Sequence, residues 1–222
     1  MARARRWSPF LDLVATREPA IVAAAEAGRI DWSSMSIDST VPIGRRLRQE
    51  RRALALKVAL GDLAGVLDLT AVTQRLSDFA DYALDAAIRA AIAERYPGEE
   101  PRGFVAIALG KQGSRELNYS SDIDPILLYD PETLPRRARE EPEEAAVRIA
   151  RRVVELLQAR DGDGYVLRVD LRLRPSPEVT PIAVPVNGAI GYYESQALPW
   201  ERAAFIRARA AAGDVALGQR FL

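Results

Sequence analysis

Apolar residues recur at helical spacing through most of the first hundred positions. Residues 8–28 read as one helix, opened by Ser8 with Pro9 in its first turn and closed by Gly28. A polar link over 31–42 carries turn formers. Across 44–67, Leu47, Leu54 and Val58 form one stripe, with Leu56, Leu60 and Leu63 beside it. Asp68 is a good N-cap, and after it Leu76, Phe79, Ala80, Ala83, Ala87, Ile88 and Ala91 keep helical spacing up to Tyr96, Pro97 and Gly98. These stripes predict a helical region over 1–98, packed on itself and on the rest of the chain, rather than a cofactor-binding surface.

Past residue 98 the period changes. Residues 104–109 and 126–129 are short apolar runs of strand length, and 142–160 is amphipathic, with Val147, Ala150, Val153, Val154 and Leu157 on one side. That helix stops at 161–164, Asp-Gly-Asp-Gly, a strong turn signal. Residues 165–174 then alternate. Leu167, Val169, Leu171 and Leu173 face one way, and Arg168, Asp170, Arg172 and Arg174 face the other. A proline-rich extended stretch over 175–185 leads to a last predicted helix over 200–212. Strand, turn, strand, helix, strand predicts an α+β fold over 99–222, a small mixed sheet with helices on one face. No internal repeat is present.

Composition narrows the chemistry. The 222 residues hold 31 Lys and Arg against 31 Asp and Glu, so net charge lends no support to nucleic-acid binding, although arginines cluster at 45–52 and 168–174. With no cysteine and no histidine, disulfides, thiolate metal sites, imidazole catalysis and histidine-bound zinc are excluded. Any metal must be a hard ion held by oxygen. No apolar run has the length of a membrane span, and no signal-peptide core follows the N-terminus. The basic stretch 1–6 is cut short by Trp7, Ser8 and Pro9, so it reads as a frayed basic end rather than a transit peptide. A cytoplasmic protein is expected.

The densest chemistry lies at 110–124, GKQGSRELNYSSDID. An apolar strand feeds Gly110, a Gly113–Ser114 turn follows, and after seven more residues comes Asp122-Ile123-Asp124. Side chains alternate along a strand, so the two carboxylates share a face and can grip divalent cations, while backbone N–H groups of the Gly-Ser turn can meet phosphate oxygens. This is the layout of a nucleotidyltransferase site, in which Mg²⁺ polarises the phosphorus centre and three carboxylates are usual. Asp170, on the polar face of the third strand, is the best third carboxylate. Arg172 and Arg174 beside it can bind phosphate through their planar forks, and Lys111 flanks the Gly-Ser turn. Each part has an ordinary reading, as a surface turn or a solvated, ion-paired face. It is the conjunction that is specific.

At these residues the chain resembles one family. GKQGSRELNYSSDID is similar to the GKLGGRELN-SSDID signature of the bifunctional glutamine synthetase adenylyltransferase/adenylyl-removing enzymes. The likeness continues through RVDLRLRP at 168–175, WERAAFIRARAAAGD at 200–214 and the helical LRQERRALALKVALGDLAGVLDL at 47–69. Family members carry two similar catalytic halves with a regulatory region between them. The wording RELN-SSDID resembles the N-terminal, adenylyl-removing half, so the chain looks like a fragment of a longer protein. Gln112 and Ser114 stand where the family has Leu and Gly. Pro125 replaces Leu, and proline suits only an edge position or a bulge.

The resemblance implies that Asp122, Asp124 and Asp170 hold Mg²⁺ or Mn²⁺, and that Gly113 and Ser114 form the phosphate-side turn. It implies phosphorolysis: inorganic phosphate removes AMP from an adenylylated tyrosine of glutamine synthetase and ADP forms. In the full-length family a PII-type nitrogen regulatory protein is a partner. The competing readings are adenylyl transfer from ATP on the same fold, a non-catalytic nucleotide-sensing module, and a helical interaction module attached to a degenerate enzyme.

Overall fold

The structure, a computed structural model, describes residues 5–6, 8–30 and 40–222; the rest of the basic start and most of the 31–42 link lie outside the described residues. Ser8 caps the first helix, its hydroxyl accepting from the Leu11 N–H at 3.2 Å. The single helix predicted over 8–28 is two, α1 (Pro9–Arg17) and α2 (Pro19–Glu26). Pro19 has no N–H to continue α1 and pushes Glu18 out of the helical region, to φ −123° and ψ 59°. Next comes α3 (Ile43–Leu63), then α4 (Leu69–Arg95), capped by the Asp68 carboxylate on the Ala71 N–H at 2.7 Å. The predicted stripe of α4 is its buried face, with Phe79, Ala80, Ala83, Ala87 and Ile88 all buried.

The remaining elements are β1 (Phe104–Ala108), α5 (Gly110–Gly113), β2 (Pro125–Tyr129), α6 (Pro142–Gln158), β3 (Ala183–Pro185), α7 (Val186–Ser195), α8 (Pro199–Ala204), β4 (Arg209–Gly213) and α9 (Val215–Phe221). The strands form one mixed sheet in the order β3-β2-β1-β4, with β1 antiparallel to both neighbours and β2 parallel to β3. Both faces are covered, not one. Phe104, Ala106, Leu127 and Tyr129 pack with α3, α4 and α6, while Val105, Ile107, Ile126 and Leu128 pack with α7 and α9. Burial on both sides explains why β1 and β2 read as unbroken apolar runs. The first face belongs to a core that runs continuously into Leu47, Leu54 and Ile88. Leu56 and Leu60, on the neighbouring stripe of α3, instead meet Val14 and Ala15 of α1.

Three other expectations are corrected. The helix predicted over 200–212 ends at Ala204; a 3₁₀ turn at Phe205–Arg207 follows, and the alanines enter β4. The run Ala210–Ala211–Ala212 has no period of its own, and the fully buried β1 needs hydrogen-bond partners along its second edge. The alternating 165–174 segment is not a strand. It makes one parallel bridge, Ile123 with Val169, and then turns, because the Asp170 carboxylate accepts the Arg172 N–H at 2.9 Å and diverts the chain. Pro125 lies neither on an edge strand nor in a bulge: it is the first residue of the interior strand β2, a position proline tolerates, and β3 joins only from Leu127 onward.

Candidate active site

One bridge aligns the acidic residues. The Ile123 N–H donates to the Arg168 carbonyl at 2.9 Å, and the Asp170 N–H donates to the Ile123 carbonyl at 2.8 Å. With Ile123 opposite Val169, Asp122 falls beside Arg168 and Asp124 beside Asp170. Ile123 is fully buried, so alternation turns Asp122 and Asp124 the other way. Asp122 pairs with the Arg168 guanidinium, whose fork also reaches the Ser120 carbonyl and, at 2.8 Å, the Tyr165 hydroxyl. Asp170 accepts a two-pronged contact from Arg172, at 2.8 Å and 2.5 Å.

Asp124 is different. It is half-buried, and no hydrogen bond or ion pair reaches its carboxylate among the described residues. A Cβ added to Gly110 would come within 3.1 Å of its Oδ2. Burial first, then the charges of Asp170 and Asp122, raise its pKa above the ordinary value, with Arg172 and Lys111 opposing. Asp170 is held low, chiefly by the Arg172 hydrogen bonds. The structure thus brings Asp122, Asp124, Asp170, Arg172 and Lys111 to one edge.

Arg174 is not part of that edge. Its guanidinium donates to four backbone carbonyls, Leu171, Pro177, Thr180 and Pro181, at 2.7–3.2 Å, and so folds the proline-rich segment on itself. Gly113 closes α5 against the 3₁₀ turn: a Cβ there would stand 2.0 Å from the Arg207 carbonyl oxygen. Its smallness serves that backbone contact. Ser114 donates to Glu116 at 2.8 Å and to the Gly110 carbonyl at 3.2 Å.

Several supports escaped the sequence reading. Ser77, Asp78 and Asp81 interrupt the apolar pattern of α4 and hold the 110–117 loop from outside. The buried Leu117 N–H donates to Ser77 Oγ at 3.2 Å, and Arg115, in the left-handed region at φ 59°, pairs with Asp78 at 2.6 Å. Asp81 accepts from Gln112 at 3.0 Å and pairs at 2.6 Å with Arg209, which itself donates to the Gln112 and Gly113 carbonyls. One turn further, Asp85 accepts the Gly213 N–H of β4 at 2.9 Å. Losing the Ser77 hydroxyl would strand a buried N–H at a cost of about 1–3 kcal/mol. The available signal was the i, i+4, i+8 recurrence of Ser77, Asp81 and Asp85 inside an otherwise apolar helix.

The donor chemistry suits a hard divalent cation: carboxylates meet on one face, one of them has no hydrogen bond or ion pair among the described residues, and the chain has no softer imidazole or thiolate. As the side chains stand, no three acidic groups among the described residues close into a ligand cluster. Arg168 and Arg172 draw Asp122 and Asp170 to themselves, so closure requires those forks to let go.

Comparison with known proteins shows the family. The family model described as glutamate-ammonia ligase adenylyltransferase matches residues 10–222. A bifunctional glutamine synthetase adenylyltransferase/adenylyl-removing enzyme of Rhizobium meliloti is 41% identical over 242 residues, covering 97% of this chain and 24% of the relative. Proteins of the same description from Caulobacter vibrioides and Xanthobacter autotrophicus are 46% and 45% identical, covering 91% and 83% of this chain. The chain spans a fifth to a quarter of the length of these relatives, 24%, 21% and 20%. It belongs to the glutamate-ammonia ligase adenylyltransferase family.

Proposed function

We propose that this chain is the adenylyl-removing catalytic unit of its family, the N-terminal of two similar halves, with a nucleotidyltransferase-type site at Asp122, Asp124 and Asp170. The observation that carries the reading is the Ile123–Val169 register, which aligns the three aspartates on one face just ahead of β2. Asp122, Asp124 and Asp170 would hold Mg²⁺ or Mn²⁺, which when bound neutralises phosphate charge and stabilises a leaving phenolate. In the reaction an oxygen of inorganic phosphate attacks the AMP phosphorus on an adenylylated tyrosine of glutamine synthetase. The P–O(tyrosine) bond breaks, the phenolate takes up the proton that phosphate gives up, and ADP leaves. Arg172, whose side chain is 84% exposed, is free to swing from Asp170 to a phosphate oxygen, and Lys111 adds charge beside Asp124. Phosphate arrives already anionic, so the chain's lack of histidine is no obstacle.

Adenylyl transfer from ATP to the same tyrosine is the second reading, favoured by the relatives' names, which carry both activities. Incubation with adenylylated glutamine synthetase, Mg²⁺ and labelled phosphate separates them. Label in ADP supports phosphorolysis. AMP release independent of phosphate, or no reaction beside efficient transfer from ATP, overturns it. In the longer protein a PII-type regulatory protein would set the balance, and a cytoplasmic location follows from the proposed substrate.

A further inference from the structure

Behind the Asp122–Arg168 pair, the Tyr165 ring is surrounded by three guanidinium groups. Arg51 lies 4.8 Å from its centroid, Arg160 4.9 Å and Arg168 5.9 Å. Arg168 has a carboxylate, Asp122. Among the described residues Arg51 and Arg160 have none, whereas Arg45, Arg48 and Arg52 along the same face of the molecule all pair with Asp161 or Asp163. Three cations around one ring repel each other, and a ring quadrupole offsets only part of that. The half-buried Arg51 shows the strain: burial, opposed by Tyr165 and reinforced by Arg168, lowers its pKa.

Arg51 also opens on a cavity. It measures about 30 Å³ and lies between α3, α4 and the 117–121 loop, open to solvent. Asn118, Ser121 and Tyr165 line it with polar groups, the Ser121 hydroxyl donating to Asn118 Oδ1 at 2.9 Å and the Tyr165 hydroxyl accepting from Arg168 at 2.8 Å, and Leu54 and Phe79 line it with apolar surface. A space of that size has room for a small oxyanion. Amide, hydroxyl and an uncompensated guanidinium are the groups that hydrogen-bond an oxyanion, and Arg offers the fork that matches phosphate. Ser121 precedes Asp122 directly, so an anion here stands next to the carboxylate edge.

We infer that this cavity is an oxyanion subsite, taking a phosphoryl group between Arg51, Asn118, Ser121 and Tyr165. That the phosphoryl group is the attacking phosphate rests on the phosphorolytic reading; that the cavity takes an oxyanion does not. Binding is therefore tested without glutamine synthetase. Inorganic phosphate, and separately ADP, is titrated into the whole chain at constant ionic strength set with chloride, and followed by calorimetry and by the Arg51 Nε–H resonance. Saturable phosphate binding that moves this resonance, and that weakens about 10- to 100-fold in Arg51→Ala, supports the subsite and a free phosphate source. An Arg51-dependent response to ADP alone supports the same subsite with the nucleotide's terminal phosphate in it. If Arg51→Ala loses its fold by circular dichroism, Arg51→Lys, which keeps the charge but not the fork, is required to show the weakening instead. Binding unchanged in a folded variant, an Arg51 resonance that stays still, or an equal effect from chloride overturns the inference. Those failures leave the labelled-phosphate assay to judge the reaction independently.

Discussion

The two chain segments that meet at the carboxylates are held in opposite ways. Residues 110–124 are braced from outside, by Ser77, Asp78 and Asp81 of α4 and by Arg209 of β4. Residues 168–182 are braced mostly from within, Asp170 by Arg172 and the proline-rich turn by Arg174 on four of its own carbonyls. Between them run the Ile123–Val169 bridge and the Arg168 contacts to Asp122 and the Ser120 carbonyl. The first segment is tied to a long buried helix, while the second leans more on contacts of its own. The difference places Asp122 and Asp124 on the fixed side of the site and Asp170 on the adjustable side, where a cation or substrate can draw it in.

The hardest blow to the fixed segment is Gly113→Ala. The new methyl group meets the Arg207 backbone oxygen, which no side-chain rotation relieves, so a loss of about 3 kcal/mol is expected. Urea unfolding checks it; a midpoint equal to the parent's would show that α5 and the 3₁₀ turn do not bear on each other. Asp124→Asn acts on chemistry and not on bracing. Removing a charge that Asp170 and Asp122 repel leaves stability equal or higher, while turnover of adenylylated glutamine synthetase falls at least about 100-fold. Loss of fold together with loss of activity would make this aspartate structural.

On the adjustable segment, Arg174→Lys cannot serve four carbonyls at once. Turnover is expected to fall about tenfold, with faster amide exchange over 171–182 and unchanged exchange over 110–117. Equal loosening of both segments would abolish the contrast between them. The smallest effect concerns the 161–164 turn that leads into the second segment. Hydrogen bonds from Arg52, opposed by burial and helped by Arg45, hold the Asp163 carboxyl below its ordinary 3.8. Because the folded value lies below the unfolded one, this contribution is complete above the unfolded value and is lost as pH falls through the folded value, below about pH 4. Asp163→Asn should flatten that part of the stability profile by well under about 1 kcal/mol, as expected for partly exposed pairs. A profile parallel to the parent's down to low pH would remove Asp163 as an anchor.

By itself the sequence determined the long helices, the strands β1 and β2, the Asp68 cap and the residues of the acidic edge. These rest on short-range rules: helical or strand period, a capping side chain, and alternation that sets Asp122 and Asp124 on one side of Ile123. Tertiary structure decided the rest. The alanines of 210–212 carry no period, and they became a strand because β1 had a buried edge to satisfy. The alternating arginine-rich segment gave up its strand because Asp170 and Arg174 bind nearby backbone more strongly than a partner strand competes for it. Arg172 and Arg174 look equivalent two residues apart, yet one reaches the carboxylates and the other ties down a turn. What separates them is the turn itself: Arg172 meets Asp170 two positions away, and Arg174 meets carbonyls three to seven positions away only because the proline-rich segment folds back on it. The Asp81 and Asp85 contacts to β4 cross 128 positions and are set by packing, not by local pattern.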